Sequence, residues 1–368
     1  MKIEALDRSH EEFFAPTMAV TVAGQDVLRD SLLAIASVEV DLRIKGPGRF
    51  SFTIGSVFDW EESEFVAGED DSRIDLLDLF AFGAPVKVSL GYGEPAKLEP
   101  MIEGVITEVG AGFTDSDTPT LTISGYDKLF PLRLNRASRH WDKVKISDAI
   151  TAVAGANALS ADVRATRTIE ASLDQTQESD LAFIERMAEL TGSIFYMRAG
   201  KFYFGPRSSR SPALEIPWGQ GLERFSPSAN LANQVSAVEV HGWSAMEAAA
   251  VVGKAQRGDE KGRDGQRKSG GDWLATALGG GSTIKVSAPI RDQAEADAHA
   301  LAILEARAHN FVTGEGECIG VPAIVPDTRL TLSGLGRVFS KSYYVSQATH
   351  RLDEGGYRTR FAVQEPTL

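Results

Sequence analysis

From residue 17 to residue 127, apolar side chains recur at every second position in short runs separated by turn residues. Val38, Val40, Leu42 and Ile44 alternate with polar neighbours, Gly46-Pro47-Gly48 interrupts them, and Phe50, Phe52 and Ile54 resume the alternation. A period of two belongs to a half-buried strand, so these runs predict a β-hairpin with a long tip. Residues 17–22, 85–92, 101–109 and 120–127 read the same way, and residues 75–80 interpose a helical turn or two. At least five strands with few helices between them predict an antiparallel barrel or sandwich ending near Asn135.

The period changes at residue 144. Ile146, Ile150 and Val153 fall three or four apart, which predicts a helix opening at Ser147 or Asp148 and closing in an Ala/Gly/Asn stretch. After a polar segment comes QTQESDLAFIERMAELTGSIFYMRAGKFYF at 175–204, where helix, cap, turn and strand signals agree. Thr176 is the expected N-cap, with Glu178 and Asp180 placing carboxylates where the helix dipole favours them. Leu181, Ile184, Met187 and Ala188 make one apolar face, and Gly192 is suited to the left-handed residue that ends a helix. Residues 194–197 and 201–204, with Phe195 and Phe202, then form an aromatic hairpin about Ala199-Gly200. Those rings either stack a base or sugar or pack as core.

Strand signals return at 222–227, 233–243, 312–319, 329–332, 343–351 and 357–363, the last two joined by the hairpin turn at 352–356. Asp292 to Glu295 resembles a capping box, and Leu301, Leu304, Ala308 and Phe311 follow on one helical face. Residues 244–282, centred on GDEKGRDGQRKSGGD, read as a mobile polar insertion rather than core. The expected fold is mainly β with α+β elements: a β-barrel domain at 1–135, a small α+β connector at 136–213, and a second β-barrel domain at 214–368 carrying the insertion.

Composition narrows function more than fold. An apolar fraction of 43% is that of a globular protein, and no apolar run approaches the ~18 residues of a membrane span. The N-terminal MKIEALDRSHEEFF is acidic and lacks an apolar core, so no secretory signal is expected. The single cysteine, Cys318, excludes an internal disulfide and a thiolate metal cluster. A net charge of −13 argues against a basic nucleic-acid footprint. Much of that excess lies at Asp59, Glu61, Glu62, Glu64, Glu69, Asp70, Asp71, Asp75 and Asp78, opposed only by Arg73. The segment is either a solvated acidic loop or an electronegative rim that keeps an anionic passenger from adsorbing.

Catalytic patterns are missing. The six histidines are scattered, without an HExxH pair, and His299 and His309 stand about 80° apart on a helix of 3.6 residues per turn. There is no GxSxG elbow and no phosphate-binding loop, since Gly253-Lys254 is followed by Ala255. No carboxylate pair is singled out by its surroundings. No catalytic, metal or cofactor residue is therefore expected.

The order of the motifs nevertheless resembles a known family. QTQESDLAFIERMAELTGSIFYMRAGKFYFGP is similar to the helix and aromatic hairpin of phage late control D proteins, the baseplate central hub family, and of the N-terminal hub part of VgrG spikes. Val238 to Trp243, similar to the family's V-x-V-x-G-W strand, Ala294 to Ala298, Gly320 to Pro326, Leu332 to Leu335, and Tyr343-Tyr344-Val345 with His350 follow in the family's order. Ser340-Lys341-Ser342 stands where the family often has Gly before the tyrosine strand. The resemblance implies two tail-tube-like barrels per chain in a homotrimer, a pseudo-sixfold adaptor between a hexameric inner tube and a threefold spike. It implies a contractile phage tail or injection system as parent, assembled in the bacterial cytoplasm and released as a particle. Expected partners are the inner tube protein, baseplate wedge proteins and, as the chain ends at Leu368 without a needle, a separate spike protein. DNA or effector cargo would pass the lumen without specific binding, and the acidic segment would face that lumen or the tube. Leu181, Ile184, Met187, Phe195 and Phe202 become packing residues of the connector. Two other classes remain open, a tail-tip cell-wall hydrolase and a glycan- or receptor-binding module.

Overall fold

One strand, Lys341–Asp353, is shared by everything around it. Along one edge it pairs with Gly356–Glu365. Along the other it has two partners in succession, Thr328–Ser333 beside Lys341 to Val345 and Ile35–Arg43 beside Gln347 to Leu352. The change falls at Ser346, where a β-bulge shifts the register and the Ser346 carbonyl accepts from Ile44 N at 3.1 Å. The computed structural model describes residues 15–31, 33–55, 57–68, 73–115, 118–208, 214–244, 248–263, 267–277, 279 and 281–368.

Through this strand the N-terminal and C-terminal β regions become one sheet. Its order runs from Leu222–Ala229 through Val312–Ile319, Gly356–Glu365 and Lys341–Asp353 to Ile35–Arg43, Arg49–Ile54, Thr120–Asp127, Glu99–Gly112, Pro85–Tyr92, Pro16–Val22 and Gln25–Asp26. Every pair on that path is antiparallel, while Leu214–Pro217 joins Thr328–Ser333 in parallel as a side branch. Two β-barrels joined by the connector were expected; the fold is mainly β, and the described strands of both regions form one large curled sheet. The alternation does set the faces: Val38, Val40, Leu42, Phe50, Phe52 and Ile54 are all buried. Leu352 and Tyr357, from the C-terminal hairpin, pack in the same core as these N-terminal residues. A second core gathers Leu330, Leu332, Tyr343, Val345, Phe361 and Val363.

Buried polar groups close the junction. His350 is fully buried, and its Nε2 lies 2.9 Å from the Ile324 carbonyl. A carbonyl only accepts, so Nε2 carries the proton and Nδ1 accepts from Tyr357 Oη at 2.9 Å and Thr359 Oγ1 at 3.1 Å. Tyr92 Oη donates to Gly320 O at 2.7 Å, and Val321 N donates to Thr359 Oγ1 at 2.9 Å. Gly320 lies flat on the Tyr357 ring, where a Cβ would stand 2.0 Å from a ring carbon.

The connector has its own core. Helices Ile146–Ala156 and Asp180–Thr191 cover a small sheet of Ser160–Val163, Lys201–Gly205 and Ile194–Arg198, while Arg136–Lys145 and Ile169–Ser179 pair as a two-stranded arm. Gly192 closes the second helix at φ 65°, but the N-cap is Ser179, whose Oγ accepts from Ala182 N at 3.2 Å. Thr176 lies three residues short of the cap, inside the arm strand Ile169–Ser179, and the helix begins only after Ser179 at the strand's end.

Residues 244–282 also differ from their expected role. Within them, Ala249–Gln256 pairs with Ala237–Ser244, Gly270–Ala277 is helical, and Thr283–Ser287 follows as a parallel strand. Val251 and Ala255 are buried with Ala296, Ala300 and Leu304 of helix Gln293–His309. Gly253 permits this contact, since a Cβ there would meet the Ala296 backbone at 2.0 Å. Asp292 caps that helix through Glu295 N at 2.8 Å, and the Glu295 carboxylate returns to Arg291 N at 2.8 Å.

Burial pushes the His350 pKa down to about 4. Below pH 6.5 the unfolded chain takes up a proton at residue 350 that the folded chain refuses until about pH 4, so this group costs stability as pH falls through that window. His350→Gln is expected to destabilise the protein by about 1–3 kcal/mol at pH 7.5, where Tyr357 and Ile324 lose a well-placed partner. That difference should shrink by on the order of 3 kcal/mol on moving to pH 4.5. Urea denaturation of both proteins across pH 4.5–7.5 reads it, and a pH-independent difference would contradict the assignment. Gly253→Ala is expected to cost about 1–3 kcal/mol or more by forcing strand and helix apart, measured in the same way.

Candidate functional site

The acidic segment folds as a small flap on the N-terminal core. Phe58–Asp59, Glu64–Ala67 and Ile74–Asp75 pair in succession, and Asp75 Oδ1 caps the short helix Leu76–Leu79 through Leu77 N at 2.8 Å. Asp59 Oδ1 accepts from Glu61 N at 2.9 Å and Glu62 N at 3.2 Å, which ties the turn. The N–H groups of Glu62 and Glu61 hold the exposed Asp59 carboxyl below its usual pKa. Arg73 collects the carboxylates, standing 2.6 Å from Glu62, 3.3 Å from Asp59 and 4.0 Å from Glu64. Asp59, Glu61, Glu62 and Glu64 are thus on one flap, and Glu69, Asp70 and Asp71 lie outside the described residues.

Beneath these acids is an aromatic cluster that the charge pattern did not announce. Phe58 meets Trp60, Phe65 and Phe113 edge to face, with centroids 5.2, 5.1 and 5.6 Å away. Trp60 is 68% and Phe113 63% exposed, so the flap presents an apolar patch among its carboxylates. Single exposed apolar residues are ordinary, but two large rings joined through a third make a contact surface.

The connector's named residues come together inside it. Leu181, Ile184, Met187, Phe195 and Phe202 are buried in one core with Phe204. The rings of the hairpin are therefore core and present no stacking platform. Two carboxylates that the sequence did not single out hold the connector in place. Asp180 receives Arg139, Gln175 Nε2 at 2.8 Å and Asn157 Nδ2 at 2.7 Å. Burial raises this carboxyl, yet the hydrogen bonds from Arg139, Gln175 and Asn157 outweigh it and hold the pKa below the usual carboxylate value. Asp327, at φ 62°, accepts from Tyr196 Oη at 3.1 Å, Tyr344 Oη at 3.0 Å and Ser208 N at 2.7 Å. It ties the aromatic hairpin and the segment after it to the C-terminal β region.

Cys318 is buried, and burial pushes its thiol well above the ordinary value, which suits packing and not nucleophilic attack. Among the described residues no three His, Cys, Asp or Glu side chains are grouped to hold a metal ion, and no helix is long and apolar enough to cross a membrane. The arrangement offers surfaces and a rigid frame.

The frame has known counterparts. A 43 kDa tail protein of prophage MuSo2 from Shewanella oneidensis superposes with a TM-score of 0.70 at 11% identity, over 96% of this chain and 99% of that one. A tail protein from Neisseria meningitidis gives 0.66 at 12% identity, over 95% and 96%. An Escherichia coli component of the type VI secretion system, described as similar to the T4 bacteriophage tail proteins gp27 and gp5, gives 0.55 at 11% identity, over 94% and 76%. The chain thus shares the fold of these tail proteins. No curated protein matches by sequence. The model of the family described as the Alg8 N-terminal domain matches residues 17–354, and the chain belongs to that family.

Asp180→Ala leaves Arg139, Gln175 and Asn157 facing a void and is expected to cost about 3 kcal/mol at pH 7. Because the folded pKa is depressed, the contribution is present above the unfolded carboxylate value and is lost as pH falls through the folded one. Denaturation at pH 7 and pH 3 checks both parts: a cost equal at the two values contradicts a charged Asp180.

Proposed function

We propose that the chain is a structural hub subunit of a contractile phage tail or phage-tail-like injection system, without a catalytic role. In this reading three copies form a ring in which each chain supplies two tube-like β units, at 1–135 and 214–368, with 136–213 as the connector. The ring adapts a hexameric inner tube to a trimeric spike. The observation that carries the reading is the shared strand Lys341–Asp353, which holds both β regions in one sheet. An adaptor from threefold to sixfold symmetry needs two similar units per chain in a fixed relation, and a continuous sheet with a common core supplies that fixity. The likeness to tail proteins over nearly the whole of both chains supports the same reading.

Partners follow from the geometry of the role: the inner tube protein on one side, a spike protein on the other, and wedge proteins around the rim. The sheet ends in Leu222–Ala229 on one side and Gln25–Asp26 on the other, and cyclic assembly gives such edges partners. The acidic flap belongs at the lumen or the tube-facing rim, where like charge discourages adsorption of DNA or acidic cargo. The protein would be made in the bacterial cytoplasm and leave it as part of a released particle.

Native mass measurement of the protein, alone and with the products of neighbouring genes, is expected to give a trimer that binds a spike. A monomer in both conditions overturns the hub reading. Neutralising Glu61, Glu62 and Glu64 together should leave the fold intact, since each is exposed, and slow ejection or cargo delivery. Full particle activity in that variant removes the acidic rim from the mechanism.

A further inference from the structure

Where the N-terminal sheet, the connector and helix Gln293–His309 meet, they line a half-open cavity of about 430 Å³. It adjoins a second of about 760 Å³, with Gly192, Arg207, Glu305 and His309 common to both walls. In a chain of net charge −13 this junction is cationic. Arg207 is held from two sides, its guanidinium 4.6 Å from the Tyr344 ring centroid and its Nη1 donating to Gln364 Oε1 at 3.0 Å, both uncharged partners. Lys45 has its backbone fixed to Phe195 O at 2.8 Å, yet its ammonium has no hydrogen bond or ion pair among the described residues. Three carboxylates stand on these walls: Glu305 faces Lys261 at 3.3 Å, Glu365 pairs with Arg329 at 2.8 Å, and Glu189 lies near Lys45 without forming an ion pair with it. His309 Nδ1 is buried and has no partner.

Burial, and then the charge of Arg207, lower the Lys45 pKa, with only Glu189 acting the other way. Burial and the charges of Arg207, Arg329 and Lys45 likewise push His309 down to about 3. Lys45 and Arg207 form no ion pair among the described residues, and Lys and Arg outnumber the carboxylates on the two walls. Two cations without an ion pair, beside an imidazole nitrogen without a partner, match a compact dianion, and a cavity of this volume falls within the range of small-molecule sites, roughly 300–1,000 Å³.

We propose that this junction cavity binds a small phosphate-class oxyanion, free or carried on an organic molecule, held by Lys45, Arg207 and His309. The site is independent of ring assembly and would be present in a single chain. It joins the three bodies of the fold through one ligand.

The test uses the full chain in chloride buffer of constant ionic strength, titrated calorimetrically with inorganic phosphate and with a nucleoside monophosphate, beside Lys45→Met and Arg207→Gln. Wild type should bind at least one probe and melt several degrees higher in its presence. Each variant should bind about tenfold more weakly or worse, the effect of losing one charge-assisted contact. Lys45→Met should also raise the melting temperature in the absence of phosphate, because it removes a charge repelled by Arg207 and keeps the stem. Tighter binding of the nucleotide assigns the site to an organic phosphate, and preference for inorganic phosphate assigns it to the free ion. No binding of either probe beyond the chloride control overturns the proposal. A lowered melting temperature in phosphate-free Lys45→Met, or unchanged affinity in both variants, does so equally.

Discussion

The structure depends on the pairing of residues 347–352 with residues 38–43. Two segments some three hundred positions apart form a ladder in the middle of a sheet, and neither β region is complete without the other. The bulge at Ser346 makes this possible by letting one strand serve Thr328–Ser333 first and Ile35–Arg43 afterwards along the same edge. Side chains respect the arrangement. Leu352 and Tyr357 come from the C-terminal hairpin but pack among Val38, Val40 and Phe52. A hinge between the two β regions would have to break ladder bonds and open a core together, so they move as one body.

Burying polar groups at such a junction is costly unless each finds a partner, at about 1–3 kcal/mol for every one left unsatisfied. The junction meets this condition with His350, Thr359 and Tyr92, which bond the backbone of residues 320–324, and with Tyr357, whose hydroxyl bonds His350. Asp327 does the same for the connector with two tyrosines and one backbone N–H. These bonds are directional, whereas the apolar contacts around them are not. They therefore select one placement of the connector among the several that apolar packing alone would tolerate.

What sequence could reveal followed the range of each interaction. The helix from Leu181 was legible because its apolar period and Gly192 are local. Its N-cap was misplaced because Ile169–Ser179, in which only Leu173 is a buried apolar side chain, carries too weak an apolar pattern to show that the strand runs on to Ser179. Ala249–Gln256 was hidden for a related reason: Gly253 and Lys254 interrupt its apolar run, and Gly253 is there to admit helix Gln293–His309. Alternation at Val38, Val40 and Leu42 declared a strand and its buried face but carried no information about the partner near residue 350. The acidic flap was visible as charge, but Trp60 and Phe113 were not, since their cluster with Phe58 and Phe65 forms only on folding. Apart from Gln175, five positions before Asp180, the partners of Asp180 and Asp327 lie between 17 and 131 positions away, beyond the reach of any local pattern.

The ends of the sheet add a constraint on how copies of the chain associate. Leu222–Ala229 buries only its first residue fully and pairs on one side, while Pro16–Val22 and Gln25–Asp26 form the opposite end. Unpaired strand edges are adhesive, and these two differ in length, in neighbours and in charge. Contact between unlike surfaces is heterologous and either closes into a ring or runs on into a filament. Because the shared strand Lys341–Asp353 fixes the two ends relative to each other, the rotation between successive copies is set inside the chain rather than at the interface. The same pairing that gives the chain a common core therefore also governs whether its copies close, and at what number.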